Sequence, residues 1–282
     1  LLNRLMARTT CPTSKRLPKE HRKNIVTERP RLTPAIADVR RAVRESLEGA
    51  GVQADDLVLV ACSGGADSLA LAAAAAFEGP RIGGRPGETN GVRVGAVVID
   101  HGMQAGSGQI AAETAHKLQV LGLYPVEIRT VVVGTDGGPE AAARTARYAA
   151  IDEVAAQAGA NAILLGHTLN DQAETVLMGL ARGSGGRSLN GMARVSGIYL
   201  RPLLGITRET TENFCTDSGL EPWHDPMNKD EAYTRVRVRQ NLLPALESEL
   251  GPGIAEALAR TADTLREDEE VLAELALDAY KK

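Results

Sequence analysis

Six consecutive residues, Ser63-Gly64-Gly65-Ala66-Asp67-Ser68, carry the strongest chemical signal in the chain. They follow the apolar run Leu57–Cys62 and precede an Ala/Leu-rich stretch. In that strand-then-helix setting a glycine-rich turn binds phosphate, because the first N–H groups of a helix have no intrahelical partner and point at an anion. Gly64 and Gly65 permit positive φ and close backbone approach, Ser63 and Ser68 add hydroxyl donors, and Asp67 can hold Mg²⁺ against phosphate oxygens. A Walker A loop ends in Gly-Lys-Ser/Thr, and no lysine stands in this one, which disfavours γ-phosphoryl transfer. The bland alternative is a tight strand-to-helix turn with Asp or Ser as its cap.

Further groups fall where strands should end. Asp100-His101-Gly102 closes a second apolar run, where side chains would reach a nucleotide or its acceptor, although alone it also reads as a turn. Gly166-His167-Thr168-Leu169-Asn170-Asp171-Gln172-Ala173-Glu174-Thr175 sets His167 at a strand edge and two carboxylates, three residues apart, on one face of the helix that follows. Asp171 and Glu174 can ligate Mg²⁺, hold a cationic substrate, or simply offset a helix dipole. Arg144 stands one turn from Glu140, with Arg147 on nearly the same face, an arrangement equally suited to an ion pair on a solvated helix. Residues 182–208 hold Arg182, Arg187, Arg194, Arg201 and Arg208 with no acid, and Arg235, Arg237 and Arg239 form a second basic cluster. These are phosphate-sized anchors or a solvated charged face.

The elements that must position these groups alternate. Leu57–Cys62, Val92–Asp100, Val126–Val133, Ala162–Gly166 and Ile198–Leu204 read as strands. Ser68–Phe77, Ile110–Leu121, Glu140–Ala158 and Asp171–Leu180 read as helices between or after them. A leading helix is expected from Pro34 to Leu47, where Ile36, Val39, Val43 and Leu47 recur at helical spacing. The pattern predicts an α/β, Rossmann-like, mostly parallel five-stranded sheet with helices on both faces and its site at the carboxyl ends of the strands. Beyond Thr207 the reading is helical: Thr207–Asp217, Val236–Leu250 and Ile254 to the end.

With 282 residues and 43% hydrophobic side chains the chain can bury a full core, built mainly from Val, Leu, Ile and Ala because aromatic residues are only 3%. Cys11, Cys62 and Cys215 are too far apart for a disulfide framework or a C-x-x-C pair, so a reducing cytoplasm is expected. No apolar run approaches the length of a membrane span. The formal charge of −4 is uneven: residues 1–31 hold nine Lys or Arg against two Glu. Residues 1–33 thus read as a basic N-terminal extension without fixed structure, a targeting peptide, an RNA-binding arm or an upstream stretch preceding the protein proper. A nucleotide-binding domain is expected over 34–230 and a helical C-terminal region over 231–282.

The S-G-G-x-D-S string resembles the signature of the PP-loop, or N-type ATP-pyrophosphatase, superfamily. Taken in order, Ser63–Ser68, Asp100-His101-Gly102, Glu140–Tyr148, Gly166–Thr175, Ala181–Gly185, Leu189–Met192, Arg201–Leu204, Trp223-His224-Asp225-Pro226 and Arg239–Pro244 resemble the tRNA(Ile)-lysidine synthase family across roughly residues 57–250. That resemblance implies ATP and Mg²⁺ as cofactors, and as partners an isoleucine tRNA with a CAU anticodon and free L-lysine. It leaves room for a homodimer and implies no membrane. It further implies a reaction in which ATP adenylates the first anticodon cytidine at C2 and the lysine ε-amine then displaces AMP. Asp67, Asp171 and Arg147 are the expected catalytic residues, with Asp67 and Asp171 as metal ligands. Ser63, Gly64, Gly65, Ala66, Asp67, Ser68, Asp100, His101 and His167 are expected to bind the nucleotide, and Arg144, Asp171, Glu174, Arg182, Arg201 and Arg239 the substrates. Two departures stand out: Asn170-Asp171 occupies the place where the family often has two aspartates, and the chain ends before the further C-terminal domain of many relatives, as a compact form or a shortened chain would.

Two other readings remain open at this level: a PP-loop tRNA thiolase, for which Cys62 lacks a nearby cysteine, and a nucleotide-binding module without catalysis. A glutamine-fed amidotransferase ranks below both, since no glutaminase domain fits the remaining length.

Overall fold

Strand β1 (Leu57–Cys62) is the centre around which the fold is laid out. Its side chains alternate between two cores. Val58, Val60 and Cys62 pack with helices α1 (Pro34–Gly49), α2 (Ala66–Glu78) and α3 (Ser107–Val120), whereas Leu57 and Leu59 pack with Ile151, Val154 and Ala155 of α4 (Pro139–Ala158). A strand buried on both faces explains the unbroken apolar run in its sequence. The computed structural model describes residues 32–83, 91–100, 102, 106–131, 139–183 and 185–281. Residues 1–31 of the expected basic extension, and His101, lie outside the described residues.

The sheet order is β3-β2-β1-β4-β6-β5, with β2 at Arg93–Asp100, β3 at Val126–Thr130, β4 at Ala162–Leu165, β5 at Val195–Ser196 and β6 at Tyr199–Leu200. Strands β1, β2, β3, β4 and β6 are mutually parallel. The sixth strand is a two-residue antiparallel addition that turns into β6. The chain moves outward from β1 through β2 to β3 and then returns to β4 on the other side of β1. The reversal of strand order therefore falls between β1 and β4, and a ligand crevice is expected just beyond their carboxyl ends.

Two elements are shorter or more broken than their periodicity suggests. The apolar run Ile198–Leu204 holds only β6, because Pro202 has no N–H for a ladder and starts a 3₁₀ turn, Pro202–Gly205. The helix expected over Val236–Leu250 is split into α7 (Thr234–Arg237), a π-helical turn (Val238–Leu242) and α8 (Leu243–Leu250). Pro244 lies at the start of α8 and cannot donate back to the preceding turn, which favours the wider winding before it.

Helix α5 (Leu169–Arg182) opens with a capping box: the Thr168 hydroxyl accepts from the Asp171 N–H, and Asp171 accepts from the Thr168 N–H at 2.8 Å. A small third core, Ala173, Val238 and Leu243 with Leu177, Met178, Ile254 and Leu258, docks the π-helical turn and α9 (Ile254–Tyr280) onto α5. Residues 32–282 form a single compact unit, so the C-terminal helices belong to the body that carries the site. Among the described residues, no helix is long and apolar enough to cross a membrane.

Candidate active site

The phosphate-type turn lies between β1 and α2. Gly64 has φ +84°, a conformation that L side chains rarely adopt, and its carbonyl accepts the Trp223 N–H at 2.8 Å. The Ser68 hydroxyl folds back inside the turn, donating to the Gly65 carbonyl at 3.0 Å and accepting the Ser63 N–H at 3.2 Å. No side chain caps the start of α2, whose N-cap is Gly65. An uncapped helix start beneath a glycine turn is an arrangement that suits an anion. A Cβ on Gly64 would stand 2.6 Å from the Thr114 hydroxyl in addition to the backbone strain. Gly64→Ala should therefore cost about 1–3 kcal/mol of stability and weaken nucleotide binding, as read by chemical denaturation and nucleotide titration.

Strand β4 brings the second wall against this turn. A Cβ on Gly166 would come within 3.2 Å of the Ser68 backbone nitrogen, so glycine lets the end of β4 lie this close to the first turn of α2. A cleft of about 660 Å³ opens above them, lined by Ser63, Gly65, Ala66, Asp67, Ser68, Asp100, Arg144, Arg147, His167, Asp171, Arg208, Arg235 and Arg239, among others. Gly64 shapes the turn without facing that cleft. Asp100 receives the Gly102 N–H at 2.9 Å.

At the cleft floor, three carboxylates meet three guanidinium groups. Glu174 is fully buried, with 0% exposure, and takes the Arg235 Nε at 2.8 Å and the Arg239 Nε at 2.7 Å. Asp171 Oδ1 takes Arg208 at 3.0 Å and Arg239 at 3.2 Å, while its other oxygen is used by the helix cap. Arg208 also stands 3.5 Å from Asp67 and 3.7 Å from Glu174. The Thr211 hydroxyl donates to Asp67. Burial pushes the Asp67 carboxyl above its usual range, only partly opposed by Thr211 and Arg208. Burial acts the same way on Asp171, but Arg208, the Thr168 N–H, Arg235 and Arg239 together outweigh it and hold that carboxyl low.

His167 has a different environment. Burial first, then the charges of Arg147, Arg201 and Arg235, push its imidazole down to about 3 against the pull of Asp171. Its Nδ1 has no hydrogen-bond partner among the described residues. An unfolded histidine titrates near 6.5, so between pH 6.5 and 3 the unfolded chain binds a proton that the folded one does not. Acid thus lowers stability by up to about 1.4 kcal/mol per pH unit through this group. Replacing His167 with Gln should flatten the acid limb of the stability profile between pH 6.5 and 4; an unchanged slope would mean that the ring is hydrated.

Several expectations change. Asp171 and Glu174 share a helix face but not equal access: Asp171 reaches the cleft, whereas Glu174 lies one layer behind it, enclosed by arginines. Arg182 is exposed at the far end of α5 and Arg201 is buried, donating to the Ala193 carbonyl at 2.8 Å; neither lines the cleft. Arg147 does line it, and burial lowers the pKa of its guanidinium. Arg144 lies at its rim, 3.3 Å from the Tyr148 hydroxyl. Asn170 is a peg rather than a ligand: its Oδ1 accepts the Arg208 N–H at 2.9 Å at the start of α6 (Arg208–Asp217). Sequence reasoning read Arg208 and Arg235 only as members of two basic clusters, not as partners of these acids, and did not single out Thr211. A trace of Arg208 was available, since a cation in the first turn of a helix opposes the dipole and needs a partner elsewhere.

A metal brought in on nucleotide phosphates needs only one or two protein carboxylates. Asp67, at the cleft floor, fits that requirement, whereas both oxygens of Asp171 are already engaged, Oδ1 by Arg208 and Arg239 and Oδ2 by Thr168. Among the described residues no group of three or more His, Cys, Asp or Glu stands ready to hold a metal by itself.

Residues 37–246 match the PP-loop domain family. A tRNA(Ile)-lysidine synthase of Leifsonia xyli subsp. xyli is 60% identical over 226 residues, covering 80% of this chain and 66% of that protein. One of Thermobifida fusca is 56% identical over 247 residues, covering 88% of this chain and 72% of that protein. The chain thus spans about two thirds to three quarters of the length of such curated relatives. Among solved structures, the U34-tRNA thiolase NcsA from Methanococcus maripaludis, with its 4Fe-4S cluster, matches at 18% identity with a TM-score of 0.66, over 83% of this chain and 80% of that one. At that identity the likeness is one of fold.

Proposed function

The chain belongs to the tRNA(Ile)-lysidine synthase family of PP-loop enzymes, and from that premise we propose that its cleft adenylates a tRNA cytidine with ATP and ligates L-lysine in place of the AMP. The C2 carbonyl oxygen of the first anticodon cytidine of a CAU-bearing isoleucine tRNA attacks the α-phosphorus, and the bond to pyrophosphate breaks. The lysine ε-amine, having lost a proton to solvent, then forms a bond to C2, and the C2–oxygen bond breaks as AMP departs with the oxygen.

The observation that carries this reading is the lysine-free glycine turn at the β1/β4 switch point, facing the carboxylates of Asp67 and Asp171. N–H groups at the start of α2, with the Ser63 hydroxyl, hold the β and γ phosphates as one leaving group. Arg147 offsets charge developing at the α-phosphate from the opposite wall, and Arg144, at the rim, meets the RNA backbone. Asp171, backed by Glu174 and Arg239, orients the amine. His167 is too weak a base, at about 3, to take the amine's proton; it serves as an uncharged hydrogen-bond partner for the nucleotide. Mg²⁺, held by Asp67, would offset the negative charge of the phosphates.

The direct test is incubation with ATP, Mg²⁺, L-lysine and unmodified isoleucine tRNA, followed by mass analysis of the nucleosides. Lysidine at the first anticodon position is the expected product; thiolated nucleoside from a sulfur donor instead would favour a thiolase. The two cysteines among the described residues speak against the latter, because both Cys62 and Cys215 are buried and burial raises both thiols.

A further inference from the structure

Among the described residues, Arg208 is the cation that meets all three acids of the site, hydrogen-bonded to Asp171 but only within ion-pair distance of Asp67 and Glu174. Glu174 is gripped by Arg235 and Arg239 at 2.7–3.0 Å, whereas Arg208 lies 3.7 Å from Glu174, 3.5 Å from Asp67 and 3.0 Å from Asp171. With Arg208 in place, three guanidiniums balance three carboxylates, and no net charge is left to attract an ammonium group. The backbone of Arg208 is pinned by Asn170 at the start of α6, so the side chain can swing while the helix stays where it is.

Resting on the ligase reading above, we infer that Arg208 is a latch coupling the two small substrates: it occupies the position of the amine's cation until ATP phosphates draw it away. A guanidinium pairs strongly with phosphate oxygens, and the phosphate turn lies on the Asp67 side of the latch. Movement of Arg208 toward bound nucleotide leaves Asp67, Asp171 and Glu174 against two guanidiniums, one net negative charge, and frees the cleft-facing Asp171 for the ammonium of L-lysine. The nucleotide therefore prepares the amine site, and by linkage the amine strengthens nucleotide binding by the same factor.

The experiment is calorimetric titration of L-lysine into the full chain with unmodified tRNA, with and without saturating Mg²⁺ and α,β-methylene-ATP, which resists cleavage at the reacting bond. In the wild type the nucleotide analogue should tighten lysine binding by roughly tenfold or more. In Arg208→Gln, lysine should bind without nucleotide about as tightly as it binds the wild type with nucleotide, and the coupling factor should fall to about one. Equal lysine affinity in the wild type with and without the analogue would overturn the latch, and that measurement does not depend on how well the variant folds. Undiminished coupling in a folded Arg208→Gln would overturn it as well. Lysidine formation assayed in parallel separates the two ideas: product without coupling removes the latch alone, and no product removes the ligase reading and the latch with it.

Discussion

Glu174→Gln should lower the melting temperature by roughly 10 °C, corresponding to about 3–5 kcal/mol. Glu174 has 0% exposure and is the shared partner of Arg235 and Arg239, with Arg208 just beyond. Removing its charge while keeping its shape leaves two half-buried guanidiniums facing a neutral amide. The loss comes from those stranded cations more than from the pair itself, since breaking a buried ion pair costs far more than replacing all of it with apolar groups. Because Arg235 and Arg239 anchor the split helix α7–α8 to α5, the same change should loosen the third core around Val238 and Leu243. Thermal denaturation followed by circular dichroism measures it; a melting temperature within about 2 °C of the wild type would mean that water reaches Glu174.

Asp67→Asn should act in the opposite sense, abolishing chemistry while sparing the fold. A loss of roughly 10²–10³-fold or more in kcat/KM is expected, the scale of removing one group that handles transition-state charge. Stability should hold or rise slightly. Burial already disfavours the ionised Asp67 carboxylate, so the folded state gains nothing from its charge, and the Thr211 hydroxyl can donate to an amide oxygen as well as to a carboxylate. The contrast between Asp67 and Glu174 separates two carboxylates that touch the same arginine: one faces the cleft, the other holds its floor. Steady-state kinetics with tRNA and lysine saturating, alongside melting curves, measures both halves. Near-normal turnover in Asp67→Asn would remove Asp67 from the chemistry.

What could be read from the sequence is what is local in the chain. The glycine turn, its strand and its helix lie within about twenty consecutive residues, and the alternation of apolar runs with helical stretches follows from strands buried on both faces. The acids of α5 were also legible, because a helix start after an apolar strand and a three-residue spacing are local patterns. Their charge partners were not. Arg208 and Arg239 reach Asp171 and Glu174 across 37 and 65 residues of chain, and nothing in the local spacing of an arginine announces which acid it will meet. The same limit explains Arg182 and Arg201: they share a basic segment with Arg208, yet one is exposed at a helix end and the other is committed to the Ala193 carbonyl. The split of the late helix depends on Pro244 and on packing against α5 together, of which only the first is written locally.

The central claim is that the lysine-free turn retains pyrophosphate as the leaving group. Labelling ATP at its α-phosphate and separating the nucleotide products after reaction with tRNA and L-lysine tests it most directly. Labelled AMP is expected in step with lysidine formation, dependent on both co-substrates. Labelled ADP, or AMP released at the same rate without tRNA and lysine, would contradict it.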